Sequence, residues 1–280
     1  MSAHQTNLVF TARAPKELTF TYIQDLERQK YHALILSLSF VALAFLWLLF
    51  QSARGSGQPG SGLFSTIVYL LTSLVGAYWS FWSAYRARRG PFALEKRHCL
   101  AWLLLGLGLL MPGLGNLYSA FYQILLQSSL PLLSYADIAF TLSHCLILAS
   151  LLLLPIDAKN MRPGIHMVID AFITTLCLFG INWSLVINPL LVLSHPGAFF
   201  ATIVSVSYPC WDILLILAFV LFIHQRATTA FHPSLLIYGL AALALFWADS
   251  VHSNLSIYGH YHPGMAAIEP FWFLSVLLFG

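Results

Sequence analysis

Charged side chains are scarce in this 280-residue chain, in which Asp, Glu, Lys and Arg together make up 8% of the residues. A soluble domain has about 25% charged residues, so this scarcity excludes an ordinary water-soluble globule. The 59% hydrophobic content also excludes a disordered chain, which requires low hydrophobicity and high net charge. Long apolar runs rich in aromatic residues instead predict a protein that crosses a membrane several times.

Sequence motifs of known chemistry are also absent. The chain has no Gly-x-Ser-x-Gly, P-loop, His-Glu-x-x-His or dinucleotide fingerprint, so we expect no enzymatic activity in these residues and no nucleic-acid partner. The cysteines lie singly in apolar runs and are interpreted as small buried hydrophobic residues rather than disulfides or zinc ligands. Four glycines around Pro112 predict close helix packing and a kink: Gly106, Gly108, Gly113 and Gly115.

Apolar segments long enough to cross a bilayer recur along most of the chain. A spanning helix needs about 20 mostly apolar residues. We therefore predict an all-α integral membrane bundle of eight transmembrane helices. Connections rich in glycine and proline, such as Arg162-Pro-Gly164, separate the spans. The predicted spans are 31–50, 63–85, 98–126, 134–155, 165–190, 198–223, 233–258 and 264–280.

The 13 Lys and Arg residues support this division and orient it. Four precede the first span and eight lie in even-numbered connections, whereas only Arg54 lies in an odd-numbered connection. By the positive-inside rule, the N-terminus and the even-numbered connections are cytoplasmic. With eight spans the C-terminus is cytoplasmic as well. The predicted location is the inner or plasma membrane.

The chain is expected to have two parts. Residues 1–30 form a cytoplasmic N-terminal segment, in which Leu18, Tyr22 and Leu26 share one face of an interfacial helix. Residues 31–280 form the eight-helix transmembrane domain. The last apolar span reaches Gly280 without a polar tail, so we expect the input module of a longer protein. Its expected partners are the lipid bilayer, a cytoplasmic output domain in cis and, as a further candidate, a second copy in a homodimer.

Carboxylates lie within the predicted spans, but no Lys or Arg does. An ionisable side chain in the hydrocarbon core costs at least about 2.5 kcal/mol, so these acids are candidates for function. Three explanations remain open: the acids are protonated, they accept hydrogen bonds from neighbouring groups, or they hold a cation or a cationic ligand. The five carboxylates are Asp137, Asp170, Asp212, Asp249 and Glu269.

Other polar residues follow these acids at helical spacing. A polar stripe on an apolar helix should face the bundle interior or a wet cavity. The alternative to a ligand-lined cavity is a set of interhelical hydrogen bonds, each worth about 0.6 kcal/mol. The stripes are Asp137, Thr141 and His144; Asp249, His252, Ser253 and Ser256; Asn116, Ser119 and Gln123; and Asp170, Thr174 and Cys177.

The predicted orientation places several of these residues at a similar depth. Asp137, Asp249, His252 and Glu269 lie in the outer half of the membrane, and Asp212 lies near its middle. We therefore predict an outer-half polar pocket for a small-molecule or ion ligand. The candidate ligand-binding residues are Asn116, Tyr118, Asp137, Thr141, His144, Asp212, Asp249, His252, Glu269 and Trp272.

The histidines suggest candidate metal or haem ligands, but the sequence assigns no cofactor. His144 and His252 are the pair that paired haem ligation would use. His260 and His262, with Asp249 or Glu269, are weak candidates for a zinc or copper site. The simpler interpretation of His260 and His262 is an interfacial pair that titrates near neutral pH.

A recurring pattern suggests repeated helical hairpins: a span ends in small and polar residues, a connection follows, and an acid begins the next span. The motifs are Gly115-Asn-x-x-Tyr118, Ser134-x-Ala-Asp137, Ile169-Asp170 with Trp183, Tyr208-Pro-x-x-Asp212, and Ala248-Asp249 with Trp272. Over residues 100–280 they resemble the N-terminal multi-pass membrane modules of bacterial signalling proteins with GGDEF/EAL or histidine-kinase outputs. The resemblance implies a sensory input module, for example in cyclic-di-GMP signalling, without enzymatic activity of its own. Asn116 departs from the acid expected at its position.

Three functions follow from these features. The first is a membrane sensory or receptor domain that binds a small ligand or ion and signals to a cytoplasmic effector. The alternative is a proton- or cation-coupled transporter, for which membrane carboxylates and proline-broken spans are typical. A membrane enzyme acting on lipids is the third, and the absence of a clustered cytoplasmic acid and histidine site speaks against it.

Overall fold

The computed structural model describes residues 61–89, 96–124, 126, 134–154, 165–193, 199–226, 233–258 and 268–280, with isolated positions between 35 and 49. These residues are helical almost throughout and contain no strand, which confirms the all-α prediction. Predictions made on residues 1–30 and on His260 and His262 lie outside this part of the chain. The chain divides into two compact units, Met1–Leu43 and Ala44–Gly280, and all helices named below belong to the second.

The helices follow the predicted apolar segments. The predicted fifth span corresponds to α4, a π-helical turn at Trp183–Ile187 and α5, which follow one another without a break and end at Leu193. The helices are α1 (Ser61–Arg89), α2 (Lys96–Ile124), α3 (Tyr135–Leu153), α4 (Ile165–Asn182), α5 (Asn188–Leu193), α6 (Phe199–Arg226), α7 (Pro233–Ile257) and α8 (Glu269–Phe279).

Five helical segments of the described chain are long and apolar enough to cross a membrane. Two shorter apolar segments, Val206–Leu221 and Glu269–Phe279, correspond to the sixth and eighth predicted spans. The first predicted span lies largely outside the described residues, so the eight-span count, the orientation and the hairpin repeat stay predictions. The five segments are Leu63–Arg86, Lys96–Tyr122, Tyr135–Leu153, Ile169–Val192 and Leu236–Ser256.

Glycines bring α2 close to both of its neighbours. A Cβ atom at Gly106 would lie 2.5 Å from the Phe81 ring of α1, and one at Gly113 would lie 2.9 Å from Ser73. Gly108 and Gly115 meet α3 instead, at Ile147 and Phe140. Each pair is seven residues apart, which is two helical turns, so α2 presents one glycine pair to each neighbour. The predicted close packing at these glycines is confirmed.

Gly76 of α1 makes a second close approach, to α8. A Cβ atom there would lie 2.9 Å from the backbone oxygen of Val276, which cannot rotate away. We therefore expect Gly76→Ala to lower the free energy of unfolding by about 1–3 kcal/mol through overpacking. Gly180→Ala is the matched control, because nothing lies within 4 Å of its Cβ position and alanine favours a helix by up to about 1 kcal/mol. Thermal unfolding in detergent measures both, and equal effects would contradict this packing.

Some polar side chains join helices, as the alternative interpretation expected. Ser143 of α3 donates to the backbone oxygen of Gly108 at 2.7 Å, and Ser250 donates to Oδ1 of Asn182 at 3.0 Å. Asn254 of α7 donates to the backbone oxygen of Leu185, inside the π-helical turn, at 2.6 Å. These bonds fix α2 to α3 and α4 to α7.

The stripe on α4 does not face inward as a whole, so the expectation for it was wrong. Asp170 and Cys177 are exposed, whereas Ala171 and Leu178 are buried. The buried face of α4 therefore contains Ala171 and Leu178, each of which follows a member of the predicted stripe by one residue. Spacing identifies residues that share a face, but burial depends on which neighbour that face meets.

Candidate functional site

A cavity of about 390 Å³ lies at one end of the bundle. Among the described helices, the beginning of α1, the N-terminal parts of α3 and α6, the C-terminal parts of α2 and α7, and α8 line it. Within this part of the chain no Lys or Arg lines the cavity. Its ionisable acid and histidine residues are Asp137, His144, Asp249, His252 and Glu269.

Asp137 is hydrogen-bonded at the start of α3. Its Oδ2 accepts from the backbone N–H of Ser134 at 2.8 Å and from the Ser134 hydroxyl at 2.9 Å. Its Oδ1 accepts from the hydroxyl of Tyr208 on α6 at 2.9 Å. An acid in the first helical turn is also favoured by the helix dipole. Asp137 therefore fixes the start of α3 and joins it to α6.

The bond from Tyr208 to Asp137 gives a testable stability effect. We expect Tyr208→Phe to cost about 1–3 kcal/mol, because Oδ1 of Asp137 then loses its donor and is left unsatisfied. The same substitution in an Asp137→Asn background should cost clearly less. Tyr135→Phe is the control, since Tyr135 is 73% exposed. Unfolding midpoints of the four variants measure the coupling, and full additivity would contradict it.

A second cluster joins three helices deeper in the bundle. Nε2 of His144 on α3 lies 3.3 Å from Oδ1 of Asp212 on α6 and 3.6 Å from Oδ2 of Asp249 on α7. The ligand-capable atoms of the three residues all lie within 4.8 Å of one another. His144 and Asp212 are buried, and Asp249 keeps 12% of its side chain exposed. His144 and Asp249 line the cavity, whereas Asp212 does not.

Hydrogen bonds around the cluster fix the orientation of two of its members. Nδ1 of His144 donates to the backbone oxygen of Phe140 at 2.8 Å, because a carbonyl oxygen can only accept. Oδ1 of Asp249 accepts from Nε1 of Trp272 on α8 at 2.6 Å. No hydrogen-bond donor of the described residues satisfies either oxygen of Asp212.

The charge of this cluster depends on where its protons lie. With both carboxylates ionised, the cluster carries two negative charges beside a neutral His144 and one beside an imidazolium. An uncompensated buried charge costs several kcal/mol. The arrangement therefore favours a bound cation or a proton shared within the cluster.

Trp272 connects α8 to two other helices. Besides its bond to Asp249, its ring lies 5.2 Å from the His252 ring of α7 and 6.4 Å from the Tyr69 ring of α1. Glu269, one turn earlier, is buried at the cavity wall. The beginning of α8 thus contacts the cavity and the cluster together.

Most of the residues singled out from the sequence lie together. Asp212 does not line the cavity but lies beside His144, which does. The carboxylates beside Nε2 of His144 leave no space there for a porphyrin, so the haem pair with His252 does not fit. Those that line the cavity are Asn116, Asp137, His144, Asp249, His252, Glu269 and Trp272.

Two of the candidate residues lie elsewhere. Tyr118 packs against the rings of Tyr122 and Tyr135, at 5.0 and 5.7 Å. It follows Asn116 by two residues, which turns it about 200° around the helix. Thr141 is half-buried outside the cavity lining, about 60° around α3 from His144.

Tyrosine and serine residues of the site were missed by the sequence reasoning. Tyr208 belongs to the motif Tyr208-Pro-x-x-Asp212 but was not predicted as a site residue, although its hydroxyl donates to Asp137. Ser65 and Tyr69 of α1 also line the cavity, and α1 has no carboxylate to draw attention to it. The row Ser65, Tyr69, Thr72 at i, i+4 and i+7 was the available signal.

Comparisons with protein-family models, with curated proteins and with solved structures find no match for this chain.

Proposed function

We propose that this chain is a membrane-embedded sensory or receptor domain that binds a small ligand or ion in the polar cavity and signals to a cytoplasmic effector. The observation that carries the proposal is a cavity with three carboxylates and, within the described chain, no Lys or Arg on its walls. Such a surface repels anions and favours cations or hydrogen-bond donors. Aromatic side chains on the same walls, such as Tyr69 and Trp272, favour organic cations further.

The positions of the basic residues support access from outside the cell. In the described helices they lie at the ends opposite the cavity: the end of α1, the beginning of α2 and the end of α6. The positive-inside rule assigns those ends to the cytoplasm. The cavity end would then face outward, and the effector would lie on the far side.

Helix α8 is the element through which we propose that binding is transmitted. It contacts the cluster through Trp272 and packs against Gly76 of α1 near its own end. A ligand shifts such packing only if it binds two arrangements with different affinity. Contacts of α8 at both places provide a basis for that difference. The output domain itself is an expectation from the resemblance to bacterial signalling modules.

The described core favours a receptor over a transporter. Between the cluster and the opposite end of the bundle, the buried side chains are mostly apolar, among them Leu105, Leu151, Ile216, Phe219 and Ala241. A transport route needs polar groups through this depth or a rearrangement that supplies them. Uptake into proteoliposomes driven by a pH gradient would favour the transporter instead.

A ligand screen tests the proposal. The chain in lipid nanodiscs is screened by thermal shift against metal cations, organic amines, neutral polar compounds and anions. We expect cationic compounds to stabilise it and anions to have no effect. Asp249→Asn and Glu269→Gln should weaken the response at least about tenfold, since each removes a cavity charge.

Asp170→Asn serves as the control, because Asp170 is exposed on α4 and does not line the cavity. It removes one carboxylate from the chain without changing the cavity. If the two cavity variants and the parent respond alike to every active compound, the cavity is not the binding site and the proposal is wrong.

A further inference from the structure

We propose that His144, Asp212 and Asp249 bind one divalent transition-metal ion, with Zn²⁺ as the best fit. The ion's role as a signal rests on the proposed function, whereas the site itself rests on geometry. The distances within the cluster fit such an ion. Zinc bonds to imidazole nitrogen and carboxylate oxygen of about 2.1 Å place neighbouring ligands of a tetrahedron about 3.4 Å apart. Nε2 of His144 lies 3.3 and 3.6 Å from the two carboxylate oxygens.

The charge of the three side chains also fits a divalent ion. A neutral imidazole and two carboxylates carry two negative charges, which a divalent cation balances. Without the ion, two protons have to balance them, one on Nε2 of His144 and one shared by the two carboxylates. The described residues offer no basic side chain at the cavity that could replace either proton.

The surrounding hydrogen bonds are those of a metal ligand set. Metal-binding histidines usually donate their second ring N–H to a backbone carbonyl or carboxylate, which orients the ring. Here Nδ1 of His144 donates to the oxygen of Phe140, so the lone pair of a neutral ring lies on Nε2. Trp272 holds Oδ1 of Asp249, and Oδ2 then faces His144.

Asp212 is the independent observation that points to a ligand. Its side chain is fully buried, and neither oxygen has a hydrogen-bond partner among the described residues. A buried carboxylate without donors is costly unless a cation lies beside it. Oδ1 of Asp212 faces the same nitrogen as Asp249 does, so one ion can serve all three residues.

The donor set also selects the class of metal. Imidazole with carboxylates suits Zn²⁺ and related first-row ions, whereas Mg²⁺ and Ca²⁺ prefer six or more oxygen ligands. Three protein ligands leave a fourth position, as in zinc sites that bind water or a substrate. Asp249 and His144 both line the cavity, so that position faces the cavity. A water molecule or a donor atom of a small ligand would complete the coordination there.

Metal binding by the purified chain tests the site directly. The chain carries a purification tag without histidine, is stripped with EDTA, and is titrated with Zn²⁺ against a chromophoric chelator and with Co²⁺ by visible absorption. We expect one equivalent of Zn²⁺ and the intense bands of four-coordinate Co²⁺. Asp212→Asn and Asp249→Asn should each weaken binding at least about 100-fold, beyond the loss typical of outer-shell changes. Asp170→Asn should bind as the parent does.

Parent protein that binds neither ion overturns the proposal, and this holds even if a variant fails to fold. So does binding that the Asp212 and Asp249 variants leave unchanged. If the chain binds Zn²⁺ at this site but no ion or ligand changes its stability or output, the site stands and the sensory function fails. If it responds to organic cations without binding metal, the sensory function stands and the metal site fails.

Discussion

His144→Leu is expected to lower the free energy of unfolding by about 3–5 kcal/mol in metal-free buffer. Without the imidazole, Asp212 and Asp249 stay within the bundle with their facing oxygens within 4.8 Å of each other. They also lose the histidine that lies beside both of them in the described chain. Breaking a buried ion pair by removing one partner typically costs this much, because it leaves an uncompensated charge. SDS-induced or thermal unfolding in the presence of EDTA measures the loss.

Replacing the whole cluster should restore much of that stability. The triple variant His144→Leu, Asp212→Leu and Asp249→Leu removes the buried charges together, and such replacements are often neutral or stabilising. The three effects should therefore be strongly non-additive. His252→Leu is the matched control, because His252 lines the same cavity but does not lie between the two carboxylates. Equal losses from His144→Leu and His252→Leu would contradict the charge argument.

The sign of a charge placed in the cavity should decide whether the protein tolerates it. Ser253 is buried at the cavity wall, one helical turn after Asp249. A lysine there would meet Asp249 in the favourable i, i+4 order, with the acid on the N-terminal side. A glutamate would add a further negative charge to a wall that already carries several. We expect Ser253→Glu to be less stable than Ser253→Lys by at least about 2.5 kcal/mol, the smallest cost of an uncompensated membrane charge.

The control pair for this comparison is Leu243→Lys and Leu243→Glu. Leu243 lies on the same helix but is 51% exposed, away from the cavity. Both charges should destabilise the chain there by similar amounts. Ser253→Lys should also weaken the response to added cations, since its ammonium group would occupy the same negative region. A glutamate at 253 tolerated as well as lysine would show that the cavity is not electronegative.

Composition and hydropathy were enough to predict the fold class and most helix positions. Helices of a membrane protein must be long and apolar, so their signal lies within each segment and needs no knowledge of the neighbours. The connection between α3 and α6 through Asp137 and Tyr208 gave no such signal, because it depends on how two helices pack. The π-helical turn at Trp183–Ile187 was also not foreseen.

The sequence could predict those site residues whose placement in an apolar span has a high energetic cost. Carboxylates are rare in apolar spans, so Asp212 and Asp249 stood out without any structure. They meet at Nε2 of His144, although Asp212 is 68 residues and Asp249 is 105 residues away from that histidine in the sequence. The three residues lie on separate helices, so helical periodicity cannot predict the contact. Asp170 shows the limit of this reasoning. Its stripe has the same helical spacing as the one that begins at Asp137, but Asp170 itself is exposed.

The most direct measurement is an experimental structure of the full chain grown or frozen with Zn²⁺, with anomalous diffraction recorded on both sides of the zinc edge. We expect one anomalous peak about 2.1 Å from Nε2 of His144 and from a carboxylate oxygen of each of Asp212 and Asp249. We also expect the peak to disappear in Asp212→Asn. A map with no peak there, in which neighbouring hydroxyl or amide groups donate to both oxygens of Asp212, would contradict this expectation.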